Sequence, residues 1–245
     1  MSEHKRGIIY SATGQKYLAE AINSAQSSLR LNSVPHLIFC SETPKCKIEG
    51  IEFMRFNSSG EPYLDKICNI TETPFEQTIF LDTDTYVLSN LDDLFDLLKR
   101  FDIAVSHTPG YFKCQDVGQS EAFSDFNTGV IPFRRNAEVI HFLQSWCELY
   151  ERWIKAPIFA PFAHDQPAFR RALWESPLLF YILSAEYNYR TIVPGRLVGC
   201  ARIVHGRCMN YQAVAAHINR NIGPRIFERF PSDFGVLPAP TGRRQ

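Results

Sequence analysis

The 245-residue chain is short of every feature that marks a specialised class. It has no excess of charge: 26 Lys and Arg balance 26 Asp and Glu. That argues against a protein that grips nucleic acid or anionic membrane by bulk charge. No apolar stretch follows Met1-Ser-Glu-His-Lys-Arg6, and the longest unbroken apolar run covers only residues 178–183. Neither a signal peptide nor a transmembrane segment is expected. The seven Cys are odd in number, scattered and without a C-x-x-C pair. A disulfide framework and a zinc knuckle are therefore excluded, and reduced thiols in a cytoplasmic protein are expected. Repeats and low-complexity stretches are absent. What remains is 45% apolar and 21% charged residues, an ordinary globular composition with enough chain for one large core.

The neutral total conceals an asymmetry. Residues 1–100 carry 10 basic and 14 acidic side chains, whereas residues 201–245 carry 7 Arg and only Glu228 and Asp233. An acid-rich part and an Arg-rich part suit a metal and an anionic ligand meeting between them; a mobile, soluble tail explains the Arg equally well.

Periodicity predicts alternating strands and helices. Strands are expected at 7–10, 34–40, 78–81, 103–106, 129–133, 178–184 and 197–204. Helices are expected at 16–30, where Leu18, Ala21, Ile22, Ala25 and Leu29 form one stripe, and at 63–73, 136–153 and 164–174. A further helix follows Asn90, with Asp92 and Asp93 in its first turn and Lys99 and Arg100 in its last. Such alternation implies an α/β fold, a mainly parallel sheet with helices on both faces. The stretch 108–125 is long, polar and irregular, as functional loops are. No linker divides the chain, so residues 1–245 read as one domain: a first half to 107, a second half over 108–220, and a terminal strap over 221–245.

The chemistry centres on Asp82-Thr83-Asp84. In extended chain, residues two apart project to one side, so both carboxylates face the crevice at a strand's carboxyl end. A hard divalent cation takes such oxygens and shares them with substrate phosphates. The motif alone is weak, since 11 Asp make one chance D-x-D nearly expected and a strand-end turn is the plain alternative. Three further segments give it context: Phe126-Asn-Thr-Gly-Val-Ile131, His164-Asp-Gln-Pro-Ala168 and Val204-His-Gly-Arg207.

With Ile79–Val87, these four segments resemble, in order, the motifs of GT-A nucleotide-sugar glycosyltransferases, most closely the retaining group that includes glycogenin and bacterial lipopolysaccharide galactosyltransferases. The resemblance implies a GT-A fold and transfer of a sugar, by default from a UDP-hexose, to a saccharide, lipid-linked or protein acceptor. It implies that Asp82, Asp84 and His205 hold Mn²⁺ or Mg²⁺ against the donor diphosphate, the imidazole favouring Mn²⁺. It places Asn127 and Asp165 on the sugar hydroxyls, Gln166 near the anomeric carbon, and Lys66 and Thr83 against the donor. Ser11, Ala12 and Thr13 would cradle the nucleoside. Arg207 would clamp the diphosphate in place of the family's late Lys, which this chain lacks. Retention needs no separate base; an inverting enzyme would need one, with Asp125, Asp165 and Glu186 as candidates. Arg202 could add fixed positive charge, residues 108–124 would form a lid, and Phe227, Phe230 and Phe234 a packed strap. Peripheral membrane contact through the C-terminal Arg and Phe remains compatible with this reading.

The bland alternatives are a helix cap for Asp165, a surface or core His205, a solvated Lys66, a core Tyr17 and a Gly129 that merely packs closely. Two rival functions are a sugar-phosphate nucleotidyltransferase and a non-catalytic nucleotide-sugar-binding relative. The first calls for a Gly-rich basic loop after the first strand, which Ser11-Ala-Thr-Gly-Gln-Lys16 matches poorly.

Overall fold

The computed structural model describes residues 5–45, 47–108, 120, 122–156, 164–231 and 234. Strand β1 (Arg6–Ala12) carries Ile8, Ile9 and Tyr10, all fully buried, so both of its faces are covered. Gly14, at φ 89°, turns the chain into helix α1 (Gln15–Leu29), whose buried stripe includes Leu18, Ala21 and Ala25. Strands β2 (His36–Cys40) and β3 (Ile51–Arg55) follow. Helix α2 (Pro62–Thr71) starts on a proline that lacks the donor a first turn would leave unpaired. Strand β4 (Gln77–Leu81) then returns beside β1. These four strands are parallel in the order β3-β2-β1-β4. The chain thus changes its direction of travel across the sheet between β1 and β4, which is where open α/β sheets take ligands.

Next come β5 (Thr85–Val87), α3 (Asp92–Leu97), β6 (Ile103–His107), β7 (Phe126–Asn127) and β8 (Val130–Arg134). Strand β8 runs antiparallel between β4 and β6 and completes the main sheet with β7. Helix α4 (Ala137–Lys155) opens with Asn136 accepting from Val139 N at 2.8 Å. It is followed by α5 (Gln166–Glu175) and by β9 (Phe180–Leu183), parallel to β6. The C-terminal part supplies β10 (Tyr189–Arg190), β11 (Gly195–Leu197), β12 (Ile203–His205), α6 (Tyr211–Ile218) and β13 (Arg225–Phe227). A second sheet runs β10-β12-β5 and joins this part to the segment after β4. Apolar layers lie on both faces of the main sheet. One is built on Phe80, Phe133, Trp146 and Phe169, the other on Tyr10, Ile79, Leu94 and Phe95.

The alternation expected from the sequence is present, and the fold is α/β with a mostly parallel central sheet. Some boundaries differ. The strand expected over 197–204 is two strands in two sheets, β11 with β13 and β12 with β5 and β10. Asn90 does bond Asp92 N at 2.8 Å, but α3 is only six residues long, with Leu91 at its N-cap, and Lys99 and Arg100 lie beyond its end. Tyr17 is part-buried and reaches the cavity described below as well as the core. The segment read as a lid falls largely outside the described residues. Phe227, Phe230 and Phe234 gather around His217 of α6, and none of them lines that cavity.

Candidate active site

A cavity of about 610 Å³ opens at the switch point. Asp82, Thr83 and Asp84 lie on its wall, in a tight turn between β4 and β5 rather than in extended chain. Thr85 closes that turn by donating N–H and Oγ1 to Asp82 O, at 3.2 and 2.8 Å. Two glycines clamp it: Asp82 N donates to Gly129 O at 2.8 Å, and Gly206 N donates to Asp84 O at 2.9 Å. The carboxylates therefore converge because of a turn, not because of strand alternation. The plain alternative and the functional reading describe the same geometry.

His205 completes the group. It pairs in register with Thr85 across β12 and β5 and is 6% exposed. Its Nε2 stands 3.6 Å from Asp82 Oδ2 and 3.4 Å from Asp84 Oδ1. One ligand atom from each of the three residues lies within 4.8 Å of the other two. The tautomer follows from a relay. Gly129 N–H donates to Asn127 Oδ1 at 3.1 Å, which makes that oxygen an acceptor. Asn188 Nδ2 donates to the same oxygen at 2.7 Å, so Asn188 Oδ1 is turned to His205 Nδ1, 2.8 Å away. Nδ1 must then carry a proton, which leaves Nε2, facing the two carboxylates, as the nitrogen available to a metal. Two carboxylate oxygens and one oriented imidazole nitrogen fit a divalent cation, with room left for ligand oxygens.

Gly129 makes this approach possible. A Cβ there would lie 2.1 Å from His205 Cε1, 2.6 Å from Nδ1 and 2.9 Å from Asp82 Oδ2. Its close packing is therefore packing against the site itself. Gly206, at φ 118°, bends the chain directly after His205, in a conformation that suits glycine.

The inner wall holds a buried ionic cluster. Lys66 of α2 is 3.0 Å from both Asp82 Oδ1 and Asp165 Oδ2, and donates to Thr128 Oγ1 at 3.1 Å. Thr128 in turn donates to Asp165 Oδ2 at 2.8 Å. Asp165 is 1% exposed and its side chain makes no cap bond to α5, so the helix-cap alternative does not describe it. Lys66 is buried rather than solvated. Burial opposes its charge, but Asp165 and Asp82 outweigh burial and raise its pKa. Burial also dominates at Asp82, whose pKa is raised despite Lys66 and His205. At Asp84 burial is overcome by His205 and Arg207, which hold the carboxyl well below its ordinary range.

Arg207 closes a fork on Glu20, Nε to Oε1 at 2.8 Å and Nη2 to Oε2 at 3.0 Å, with Nη1 3.4 Å from Asp84 Oδ2. Thr83 Oγ1 donates to the same Glu20, at 3.1 Å. Ser11 and Thr13 line the cavity at the end of β1, bonded from Asn69 Nδ2 and to Asp65 Oδ2 respectively. Ala12 is buried and does not line it. Gln166 lines it with a buried Oε1 that has no partner among the described residues. Gly14 N–H is bonded to Ser41 Oγ at 2.8 Å, so the one glycine after β1 has no free amide to offer a triphosphate.

Three residues named from the sequence are placed elsewhere. Glu186 Oε1 accepts from Val198 N and Gly199 N, both at 2.8 Å, and those bonds, against the opposing effect of burial, draw its pKa to about 2. Asp125 pairs with Arg170 at 3.3 Å, and Arg202 with Asp93 at 3.0 Å. None of the three lines the cavity. In the other direction, sequence reasoning missed Glu20, Tyr63, Thr128, Asn188 and Arg190. Only Thr128 sat inside a segment already singled out.

No family model matches the chain, and no curated protein matches it. Solved structures do. The galactosyltransferase LgtC, in complex with donor and acceptor sugar analogs, aligns with a TM-score of 0.58 at 13% identity, over 85% of this chain and 91% of that one. The glycosyltransferase GlyE of Streptococcus pneumoniae TIGR4 aligns at 0.56 and 17% identity, over 85% of this chain and 56% of GlyE. Mouse xyloside xylosyltransferase 1 aligns at 0.52 and 18%, over 82% and 97%. At such identities the likeness carries the fold, and the fold of this chain is that of the GT-A glycosyltransferases.

Proposed function

We propose that the chain is a metal-dependent glycosyltransferase, moving a hexose from a nucleoside diphosphate sugar, UDP-hexose by default, to an acceptor hydroxyl. The observation that carries this reading is the Asp82-Asp84-His205 group, with Nε2 aimed between two carboxylates in a cavity at the switch point. A divalent cation bound there supplies Lewis-acid charge to the departing diphosphate, the imidazole favouring Mn²⁺.

The chain's own groups do the rest. Arg207, braced by Glu20, presents fixed positive charge beside Asp84 for the diphosphate. Ser11 and Thr13 with Tyr17 form the nucleoside end, and Thr83 sits between the metal ligands and Glu20. Asp165, paired with Lys66, and Asn127 bond the sugar hydroxyls, while Gln166, its Oε1 without a partner among the described residues, lies towards the reacting carbon. Retention is the favoured outcome. Asp125 and Glu186 are away from the cavity, and Asp165 is already engaged by a cation and a hydroxyl, so no free carboxylate base stands ready among the described residues. The departing phosphate oxygen can take the acceptor proton instead.

Calorimetric titration of UDP, GDP, CDP and dTDP, each with Mn²⁺ and with chelator, tests the class. One diphosphate is expected to bind only with metal, and Asp84→Ala to abolish that binding. Equal binding in chelator, or an unchanged Asp84→Ala, would sink the metal site. Asn188→Ala removes the acceptor that fixes the tautomer of His205. It is expected to weaken Mn²⁺ about 10- to 100-fold with little change in nucleotide affinity measured without metal. Wild-type Mn²⁺ affinity in that variant would mean the relay has no part in binding.

No helix among the described residues is long and apolar enough to cross a membrane.

A further inference from the structure

Among the described residues no carboxylate stands within ion-pair distance of Arg190, although the charges of Asp82 and Asp84 reach it. Its Nη1 donates to Thr108 Oγ1 at 2.8 Å, its Nε is buried with no acceptor, and its Nη2 has none among the described residues. The Nε/Nη2 edge is the fork with which arginine takes a carboxylate or phosphate in two parallel bonds. Other part-buried arginines of this chain close that edge on protein: Arg134 on Asp102, Arg207 on Glu20, Arg170 on Phe123 O, and Arg225 on Ile218 O and Gly199 O. Arg190 leaves it without a protein acceptor among the described residues, and the residue lines the 610 Å³ cavity. An unmatched buried donor is costly, more so when charged. A ligand oxyanion would remove that cost.

Topology says which part of a ligand comes near. In the sheet β10-β12-β5, Arg190 is the register partner of His205 on one flank, and Thr85 is its partner on the other. Asp84 and the Arg207–Glu20 fork stand on the β5 flank, with the metal ligands. Arg190 stands on the opposite flank. Its anchor Thr108 follows β6, whose Ser106 pairs with Asn127. The open fork thus belongs to the Asn127 side, which under the proposed function faces the sugar and not the diphosphate.

We propose that Arg190 selects an acidic saccharide: it takes a carboxylate on a sugar ring, either the ring that is transferred or the ring that receives it. The inference rests on the donor reading above and adds the charge class of the sugar to it.

The test uses the full chain with Mn²⁺ and two arms. In the donor arm, UDP, UDP-glucose and UDP-glucuronate are titrated calorimetrically. In the acceptor arm, the UDP-loaded protein is titrated with methyl glucuronoside and methyl galacturonoside against the neutral methyl glucoside and galactoside. In one arm the acidic sugar is expected to bind roughly 10- to 100-fold tighter than its neutral counterpart, the range for a charge-assisted fork. Arg190→Gln should erase that preference while UDP alone binds as before. Arg190→Lys, which keeps the charge and loses the fork, should retain only part of it. Melting curves of both variants exclude a folding defect. The arm that shows the preference names the source of the carboxylate. Absence of preference in both arms, with UDP bound, overturns the proposal. An equal loss for UDP itself in Arg190→Gln also overturns it and assigns the residue to the diphosphate. If no nucleoside diphosphate binds wild type with metal, the donor reading falls first.

Discussion

Lys66→Met is expected to lower the melting temperature by roughly 6–20 °C. The substitution keeps most of the side chain's volume and its contact with Phe80, over whose ring Nζ now sits at 5.2 Å. What it removes is the cation between Asp82 and Asp165. Asp165 is 1% exposed and would keep only the Thr128 hydroxyl. Stripping one partner from a buried ion pair costs about 3–5 kcal/mol, and in a domain of this size each kcal/mol moves the midpoint about 2–4 °C. Asp82 is more exposed and contributes less to the loss.

The pH dependence separates this cause from lost packing. Without Lys66, Asp165 is a buried carboxyl with no cation, and burial penalises its charged form. A penalty on the charged form alone is relieved when the carboxyl takes up a proton. The deficit therefore grows as pH rises and shrinks as pH falls. Asp165→Asn alone should cost less than Lys66→Met, because Lys66 keeps Asp82. Asp165→Asn on the Lys66→Met background should recover part of the loss. Thermal melts at pH 5 and pH 8 check all three variants. A Lys66→Met midpoint within 2 °C of wild type at pH 8 would show the pair to be energetically idle.

The parts of this site that were legible in the sequence are those written locally. Asp82 and Asp84 stand two apart behind an apolar strand, and Asn127 and Gly129 stand inside one short segment. His205 was readable only as the last of four ordered segments, because one histidine after two apolar residues has no pattern of its own. The Lys66–Asp165 pair was not legible, since it joins α2 to the start of α5 across 99 positions. Asn188 was hidden for the same reason. Its role exists only once β10 and β12 pair, and a lone Asn in a polar stretch looks like a turn residue. Glu186 was misread in the opposite sense. A free-looking carboxylate is in fact occupied by two backbone N–H groups that no composition or spacing discloses. Among the elements, β3 was missed because exposed Glu52 and Arg55, one on each face of an edge strand, interrupt any apolar alternation. The missed β5, β10 and β13 span only two or three residues each, too short for a period to show.

Gly129→Ala is expected to reduce Mn²⁺ affinity at least 100-fold while the fold survives. The backbone there needs no left-handed conformation, so alanine brings no φ strain. The conflict is steric and local. The added methyl would stand 2.1 Å from His205 Cε1, and the ring has little room to yield. It is buried, and its Nδ1 is tied to Asn188 Oδ1. Any shift that relieves the clash swings Nε2 away from Asp82 and Asp84 or breaks the Asn188 bond. Either way the lone pair leaves the point where the three ligand atoms converge. The Asp82 carboxylate, 2.9 Å from the same methyl, is displaced with it. Disturbing one supporting group of a metal site costs about 10- to 100-fold in affinity, and here two ligands move at once. Overpacking of this kind costs about 1–3 kcal/mol of stability, which a domain of 245 residues survives. A double-mutant cycle settles whether the loss runs through the imidazole. If it does, Gly129→Ala adds little on a His205→Ala background, because the ring it would strike is gone. Mn²⁺ titrations of the four proteins supply the cycle. Additive losses would place the damage in the carboxylates or the backbone of β8, and full Mn²⁺ affinity in Gly129→Ala would show that His205 is not a ligand.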